Sequence, residues 1–188
     1  MSQLLAVVGM SGSGKSVATD YLEKAGWTKI YFGGITYKLM KEAGIERTSD
    51  GKSEKEFREK LRKDYGSECY AKFLVPDIKE ALKLGNVVLD GLYSWYEYKY
   101  LIERFPELKL LSIVVDKDLR YQRVANRVER PFTKKDIIYR DLSEIENLAK
   151  GGPIAYADYY LFNNGSLDEY YKRLLEILED LNKQKEGE

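Results

Sequence analysis

Near the start of the chain stands the stretch Gly9-Met10-Ser11-Gly12-Ser13-Gly14-Lys15-Ser16, which fits the pattern G-x-x-x-x-G-K-[ST] of a phosphate-binding P-loop. An apolar run typical of a buried strand, Leu4–Val8, precedes it, and residues 17–24 have the composition of a helix. Strand, glycine-rich loop and helix in this order are the context in which the motif binds phosphate. A glycine-rich turn without a ligand is the alternative, and the flanking elements favour phosphate binding.

Each residue type in the motif has a physical role in holding a nucleotide. Glycines let the backbone curl so that successive N–H groups point at an anion, and the helix that begins near Gly14 adds the positive end of its dipole. We expect Lys15 to reach the β- and γ-phosphates and the Ser16 hydroxyl to ligate Mg²⁺. The motif therefore predicts ATP and Mg²⁺ as cofactors. The predicted nucleotide contacts are Ser11, Gly12, Ser13, Gly14, Lys15, Ser16 and Val17.

The rest of the chain alternates short apolar runs with segments of helical period. The predicted strands are Leu4–Val8, 28–32, 86–90, 110–115 and Tyr159–Phe162, and the later helices are 35–43, 54–64, 67–84, 94–104, 118–130, 133–148 and 167–181. Uniformly apolar strands separated by helices predict a parallel sheet covered on both faces. With 188 residues, the chain is expected to form a single α/β domain over 1–188, with three layers.

Composition excludes several classes of function. Lys and Arg together number 31, as do Asp and Glu, so the formal net charge of zero gives no support for a nucleic-acid or membrane partner. The chain has no histidine, which excludes histidine bases, histidine metal ligands and phosphohistidine chemistry. The single cysteine, Cys69, cannot form an internal disulfide. Together with the absence of a signal-peptide pattern, this predicts a cytoplasmic protein.

An aspartate closes the third apolar run, in Val87–Asp90, and Gly91 follows it. A P-loop enzyme needs a second metal-facing acid at the end of another strand, and such strand ends line the binding crevice of open α/β sheets. Asp90 is therefore predicted to be catalytic and to share Mg²⁺ with Ser16. The alternative is that Asp90 caps the next helix.

Four arginines, Arg120, Arg123, Arg127 and Arg130, are spaced three, four and three residues apart. On a continuous helix this spacing puts them on one face, where like charges repel unless an anion compensates them. Behind a P-loop, such a row can neutralise the charge that develops during phosphoryl transfer. We therefore predict catalytic roles for Arg123 and Arg127, against the alternative of a solvated helix face.

Two further segments are candidates for the acceptor side of a transfer site. The helical insert over 35–84 contains Lys38, Arg58 and Arg62, which are predicted to bind a phosphate of the acceptor, although cations in such an insert are often merely solvent-facing. The connector and helix start over 128–140 are predicted to form a lid that excludes water, with an ordinary loop as the alternative. Arg140 and Asp141, at and just after its end, are candidates to assist closure.

With these motifs in view, the chain resembles the P-loop kinases of the nucleoside monophosphate kinase and dephospho-CoA kinase superfamily, above all its poorly characterised nucleotide-kinase-like members. Residues 32–38 are similar to the segment G-D-x-x-R, with Lys38 at the arginine and Ile35 where Asp is usual. Residues 90–93 resemble D-G-x-x-R, with Tyr93 near the expected arginine. Arg123 and Arg127 resemble the lid arginines of the family.

The resemblance carries implications for the fold and for the base pocket. It implies a P-loop NTPase fold with a five-stranded parallel sheet in the order 2-3-1-4-5 and helices on both faces. Residues 157–167 resemble the last part of dephospho-CoA kinases, where this segment helps form the base pocket, and this implies that Asn164 and Gly165 contact the nucleotide. Tyr93, at the place of an arginine clamp, becomes a candidate substrate-binding residue.

Motifs and resemblance together predict an ATP-dependent phosphotransferase acting on a small nucleotide-like acceptor, as a monomer or homodimer. The first acceptor class is a nucleoside or deoxynucleoside monophosphate, and dephospho-CoA is the second. A regulatory P-loop NTPase or nucleotide switch is the alternative from another class. The guanine-specific motifs D-x-x-G and N-K-x-D of GTPases are not found at residues 90–93 or 163–166, which counts against a GTPase.

Overall fold

All five apolar runs form strands of one parallel sheet in the computed structural model, which describes residues 2–48, 52–127 and 132–186. The strands are β1 (Leu4–Val8), β2 (Thr28–Tyr31), β3 (Val87–Asp90), β4 (Lys109–Val114) and β5 (Tyr159–Phe162). The helices in the described ranges are α1 (Lys15–Lys24), α2 (Phe32–Glu42), α3 (Lys52–Tyr65), α4 (Cys69–Leu84), α5 (Trp95–Ile102), α6 (Lys117–Ala125), α7 (Lys134–Leu148), α8 (Gly151–Ala155) and α9 (Leu167–Glu186). The predicted sheet order is confirmed as β2-β3-β1-β4-β5.

The central strand β1 is hydrogen-bonded to β3 on one side and to β4 on the other. Val7 pairs in register with Asp90, and Asp90 pairs in turn with Tyr31. Because the strands are parallel, their C-terminal ends meet at one edge of the sheet, which is where ligands bind in open α/β folds. The P-loop, Asp90 and Tyr31 therefore lie together at this edge.

Strand β1 is entirely buried because helices cover both faces of the sheet. Its alternating residues enter two separate apolar clusters. Leu4, Ala6 and Val8 pack in the cluster of α2, α3, α4 and α5, whereas Leu5 and Val7 pack in the cluster of α1 and α9. This double burial accounts for an apolar run without polar alternation.

Two element boundaries differ from the sequence-based expectation. Strand β2 ends at Tyr31, and α2 already begins at Phe32, whose side chain is fully buried. The helix predicted over 118–130 ends at Ala125, with Asn126 at its C-cap. Asparagine favours helix ends because its side chain competes for backbone hydrogen bonds. The helix thus ends before Arg127, and residues 128–131 lie outside the described ranges.

Most of the insert is helical where the structure describes it, and the predicted lid segment is helical from Lys134 onward. Helices α2, α3 and α4 occupy most of the insert over 35–84. Of the lid segment 128–140, the described part runs from Phe132 into α7. The first turn of α7 is fixed by a capping box, in which Thr133 Oγ1 accepts from the Asp136 N–H and the Asp136 carboxylate accepts from the Thr133 N–H.

Candidate nucleotide-binding site

Two glycines of the loop between β1 and α1 have no room for a side chain. A Cβ on Gly12 would lie 2.5 Å from a methyl carbon of Val124, and one on Gly14 would lie 2.5 Å from Asn163 Nδ2. Gly14 precedes α1 with a φ of 97°, in the left-handed region that favours glycine. The Ser13 Oγ is buried and finds no hydrogen-bond partner among the described residues. The closely packed loop backbone forms a cradle, and Gly12 and Gly14 line the cavity in which a phosphate group would lie.

The other predicted loop residues surround this cradle. Ser11 is buried, the Val17 N–H donates to the Gly14 carbonyl at 3.1 Å, and Ser16 is exposed at the start of α1. The first N–H groups of a helix are unpaired within the helix and attract anions. The exposed start of α1 therefore presents its N–H groups and the Ser16 hydroxyl to the same space.

The Lys15 side chain folds back over the loop. Its Nζ donates to the carbonyl oxygens of Gly9 and Met10 at 3.0 and 3.1 Å. Burial and, next in size, the charge of the Lys150 ammonium lower the pKa of Lys15 to about 7. Because neutral carbonyls hold a cation weakly compared with a dianion, a phosphate in the cradle would draw the ammonium group to itself and raise its pKa.

Asp90 and Ser16 line one cavity of about 440 Å³ together with Lys15, Gly12 and Gly14. Thr19 on α1 donates to Asp90 Oδ2 at 3.2 Å, which fixes the carboxylate toward the P-loop. Burial raises the pKa of Asp90, and the Thr19 hydrogen bond and the Lys15 charge oppose that rise. One carboxylate, one hydroxyl and the oxygens of a nucleotide phosphate are a donor set that suits Mg²⁺.

The alternative role of Asp90 as a helix cap does not match the structure. Helix α5, which follows β3, is capped by Ser94, whose side chain accepts from the Glu97 N–H at 3.0 Å. Glu97 in turn accepts from the Ser94 N–H, so the capping box is complete without Asp90. The Asp90 carboxylate instead contacts Thr19 and faces the cavity.

Arg123 and Arg127 both line the same cavity, but not as members of one helix face. Arg123 lies on α6 and donates to the Asn163 carbonyl at 2.9 Å. Arg127 follows the end of α6, so its predicted place on a continuous row is wrong, although it still reaches the site. Burial and the nearby Arg140 charge lower the pKa of Arg127. Arg130 lies outside the described residues.

Arg120, the first arginine of the row, is buried rather than solvated. Its guanidinium makes a two-fold contact with the Asp141 carboxylate and donates to the Ser11 carbonyl at 2.9 Å. Tyr121 also donates to Asp141, at 3.1 Å. This group ties α6 and α7 to the P-loop, so Arg120 and Asp141 support the site without lining its cavity.

The segment after β5 supports the loop from the other side. Asn163 Nδ2 donates to the Ser13 carbonyl at 2.9 Å, and the Tyr170 hydroxyl donates to the Gly14 carbonyl at 2.9 Å. A second cavity, of about 500 Å³, is lined by residues of this segment. Asn164 and Gly165, which the family resemblance implied as base contacts, are both among them. Asn164 Oδ1 also accepts from the Asp116 N–H at 2.9 Å.

The predicted acceptor-binding cations lie away from the cavity that holds Lys15. Lys38 is exposed on α2, and Arg58 and Arg62 lie on α3. The Arg62 guanidinium lies 5.1 Å from the ring centroid of Tyr70. Among the described residues, none of these three lines the 440 Å³ cavity, so their acceptor role stays a prediction.

Tyr93 lies closer to the transfer region than those cations. Its hydroxyl interacts with Tyr31, and burial followed by the influence of Tyr31 raises its pKa well above the usual value. Tyr31 itself lines the cavity beside Asp90. A tyrosine pair therefore occupies the side of the site where the arginine of D-G-x-x-R would be expected.

Several residues at the site were not identified from the sequence. Tyr31 was treated as part of a strand, and Asn163 as a neighbour of the expected base contacts. The sequence does indicate that both lie at the ligand-binding edge of the sheet, since Tyr31 lies near the end of one predicted strand and Asn163 follows another. Glu144 and Lys150, described below, had no such signal, because Glu144 lies among the ordinary surface charges of a predicted helix and Lys150 lies in a short polar connector after it.

Known proteins resemble this chain in sequence. A protein-family model described as "AAA domain" matches residues 5–149. A UPF0200 protein of Thermococcus gammatolerans is 33% identical over 183 residues, which cover 95% of each chain. Among the described residues, no helix is both long and apolar enough to cross a lipid bilayer.

Two solved kinases share the fold of this chain. Shikimate kinase from Bacteroides thetaiotaomicron superimposes with a TM-score of 0.61 at 12% identity, covering 97% of this chain and 99% of that one. Dephospho-CoA kinase from Campylobacter jejuni gives a TM-score of 0.59 at 16% identity, covering 95% and 97%. At such low identity these similarities establish the P-loop kinase fold, and the substrates of those enzymes do not follow for this chain.

Proposed function

The chain belongs to the UPF0200 family, and on this premise we propose that it is an ATP-dependent phosphotransferase that moves the γ-phosphate of ATP to a small nucleotide-like acceptor. One observation carries the proposal: the P-loop residues Lys15 and Ser16 share a cavity with Asp90, Arg123 and Arg127. A regulatory nucleotide switch would need only the P-loop and the Mg²⁺ ligands. Two additional arginines at the same cavity are what a phosphoryl group in transfer requires.

Each group of residues at the cavity has a separate role in the proposed transfer. The N–H groups of the loop and the Lys15 ammonium hold the β- and γ-phosphates, while Arg123 and Arg127 offset the charge on the γ-phosphoryl oxygens. Ser16 and Asp90 would hold Mg²⁺, which supplies charge neutralisation and orientation of the phosphates. Little covalent chemistry is asked of the protein, because in-line positioning and electrostatics account for most of the catalysis in this reaction class.

The acceptor proposed first is a nucleoside or deoxynucleoside monophosphate, with dephospho-CoA as the second candidate. The insert 35–84 would hold the acceptor, with Lys38, Arg58 and Arg62 as its candidate contacts, and the segment 128–140 would close over the phosphates. On the donor side, Asn164 and Gly165 would contact the base. We propose that the protein works in the cytoplasm as a single-domain monomer or homodimer.

The experiment that tests the proposal is an acceptor screen with purified protein, ATP and Mg²⁺. ADP release is followed in the presence of each nucleoside monophosphate, each deoxynucleoside monophosphate and dephospho-CoA. At least one acceptor should raise ADP release far above the basal rate, and the phosphorylated acceptor should appear in equal amount. Basal release that no acceptor changes would favour the nucleotide-switch alternative.

Two matched lysine variants identify the site that is responsible. Lys15→Met should lower the transfer rate about 10²- to 10³-fold, because it removes a cation aimed at the transferred group. Lys24→Met changes an exposed lysine of the same helix and should leave the rate unchanged. Asp90→Asn should shift the Mg²⁺ dependence to higher concentration, and an unaltered metal response would remove Asp90 from the metal site.

A further inference from the structure

A buried lysine, Lys150, lies between α7 and α8 in direct contact with a carboxylate. Only 2% of its side chain is exposed, and its Nζ donates to a Glu144 carboxylate oxygen at 2.5 Å. The other Glu144 oxygen accepts from Arg140 Nε at 2.9 Å. Lys150, Glu144 and Arg140 form one group, which we call the Glu144 cluster: a single carboxylate between two cations.

The Glu144 cluster lies on the Tyr93 side of the cavity that holds the P-loop lysine. The Lys150 ammonium lies 5.1 Å from the ring centroid of Tyr93. The Tyr93 hydroxyl interacts with Tyr31, and Tyr31 lines the same cavity as Lys15 and Asp90. The cluster therefore approaches the transfer region from the side that Tyr93 occupies.

A purely structural ion pair would look different, and the same helix provides the example. Arg120 and Asp141 are matched one to one, and the guanidinium is further bound by the Ser11 carbonyl. Among the described residues, Lys15, Arg140 and Lys150 lie near two available carboxylates, Asp90 and Glu144. The other carboxylate that acts on Lys150, Asp141, is already bound by Arg120. Buried charge without a partner is costly, so a surplus cation in this position is best explained by an anionic ligand.

The Lys150 ammonium also retains hydrogen-bonding capacity. It has three N–H donors, and among the described residues one acceptor, Glu144, is within hydrogen-bond distance. Arg140 is 42% exposed, so part of its guanidinium is open to solvent and to ligands. An anion that enters between them would gain donors from both cations without breaking a protein hydrogen bond.

The packing of Tyr31 and Tyr93 explains how Lys150 can lie beside the transfer region although it is distant in the sequence. A Cβ on Gly33 would lie 2.3 Å from the Tyr31 hydroxyl, and one on Gly91 would lie 2.9 Å from that of Tyr93. The hydroxyl ends of both rings therefore pack against glycine backbone, and the Lys150 ammonium lies 5.1 Å from the ring centroid of Tyr93. A cation over an aromatic face is favourably placed.

We propose that Lys150 and Arg140, held together by Glu144, form a second anion subsite that faces Lys15 and binds a phosphate group of the acceptor. This inference rests on the proposed function and makes it more specific, since it requires an acceptor that already carries a phosphomonoester. It also adds acceptor-side cations at the junction of α7 and α8 to those proposed on the helical insert.

The test measures phosphate binding in the absence of any turnover. The protein is saturated with Mg²⁺ and the non-hydrolysable β,γ-imido analogue of ATP, which fills the γ-phosphate position, and inorganic phosphate is titrated by calorimetry. The wild-type complex should bind phosphate. Lys150→Met should weaken this binding about 10- to 100-fold, as expected for the loss of a charged hydrogen bond to an anion.

Three further variants separate a ligand contact from a structural role. Lys150→Arg, which keeps the charge, should retain phosphate binding. Glu144→Gln keeps an acceptor oxygen for the two cations and removes the negative charge that competes with an anion, so it should retain or strengthen phosphate binding. A structural role predicts instead that Glu144→Gln and Lys150→Met are equally harmful. Lys109→Met removes a lysine that pairs with Asp158 at the opposite edge of the sheet, and it should have no effect.

The outcomes distinguish this subsite from the proposed function. No phosphate binding to the wild-type analogue complex, or binding that Lys150→Met leaves unchanged, overturns the subsite even where kinase activity is found. Phosphate that binds only when the γ-position is empty, in the ADP complex, also overturns it, because the anion would then occupy the donor site. Lys150-dependent binding with no acceptor found in the screen would support the subsite and count against the proposed kinase reaction.

Discussion

The contact between Gly14 and Asn163 allows the support of the P-loop to be measured with a matched pair of glycines. Gly14 and Gly26 have similar φ angles, 97° and 92°, so alanine is strained at both. A Cβ on Gly14 would lie 2.5 Å from Asn163 Nδ2, whereas one on Gly26 would meet nothing within 4 Å. Any difference between Gly14→Ala and Gly26→Ala therefore reports the steric conflict with Asn163.

The expected free energies follow from these two terms. Forcing alanine into the left-handed region costs about 1 kcal/mol at either position. At Gly14 the new methyl group also displaces Asn163 from the Ser13 carbonyl, and the loss of that hydrogen bond adds about 1 kcal/mol. We expect Gly14→Ala to lower the free energy of unfolding by about 2 kcal/mol and Gly26→Ala by about 1 kcal/mol.

The assay is urea unfolding of both variants, and of each variant combined with Asn163→Ala. In the Asn163→Ala background the cost of Gly14→Ala should fall to about 1 kcal/mol, which is a coupling energy of about 1 kcal/mol, while Gly26→Ala should not couple. ADP affinity should fall for Gly14→Ala only. Equal costs for the two glycines, or additive behaviour with Asn163→Ala, would refute the idea that Asn163 holds the loop.

Three further predictions concern titratable groups. Nucleotide binding at pH 8 should be accompanied by uptake of up to one proton, because Lys15, with its pKa lowered to about 7, is largely neutral at that pH and a bound phosphate raises its pKa. Calorimetry in buffers of different ionisation enthalpy measures the uptake. Zero uptake would contradict the assignment of Lys15 to the phosphate site. Asp141→Asn should lower the free energy of unfolding in urea by about 3–5 kcal/mol, because it leaves the buried Arg120 charge uncompensated. A loss below about 1 kcal/mol would show that the ion pair is not needed for stability. Cys69 should resist a thiol reagent at pH 8 in the native protein, because burial raises the pKa of its thiol to about 11. It should react once the protein is unfolded in denaturant. Rapid labelling of the native protein would show that the thiol is not buried.

The sequence predicted the elements of this site that depend on short segments. The P-loop, its flanking strand and helix, and Asp90 at the end of β3 are each specified within a few neighbouring residues. The sheet order followed from the family resemblance, and the structure confirms it. Patterns of this kind can be recognised in the sequence, because strand period and loop chemistry depend on neighbouring residues and not on distant contacts.

The arginine row shows where local pattern was insufficient. A spacing of three and four residues predicts one helix face only while the helix continues, and α6 ends at Ala125. Arg120 was predicted only as a member of this row, but it is buried and bound by Asp141, 21 residues away. Such pairings depend on the packing of α6 against α7, which no periodicity reveals.

Lys150 is the clearest case of information that only the fold supplies. Its neighbours Tyr93, Glu144 and Lys15 are separated along the chain, and each belongs to a different element or junction. Composition around Lys150 suggests an ordinary polar connector before two glycines. Its burial beside other charges is a property of three-dimensional assembly, so the acceptor side of the site could not be predicted in full.

The order of synthesis gives the contacts behind the P-loop an additional meaning. The carbonyl groups of Ser13 and Gly14 receive hydrogen bonds from Asn163 and Tyr170, which follow 150 and 156 residues later. At the usual pace of translation, this interval is on the order of ten seconds or longer. The loop is therefore synthesised well before the residues that brace it. A nascent chain therefore gains a fully braced nucleotide cradle only when α9 has emerged and docked, which delays tight nucleotide binding until the domain is whole.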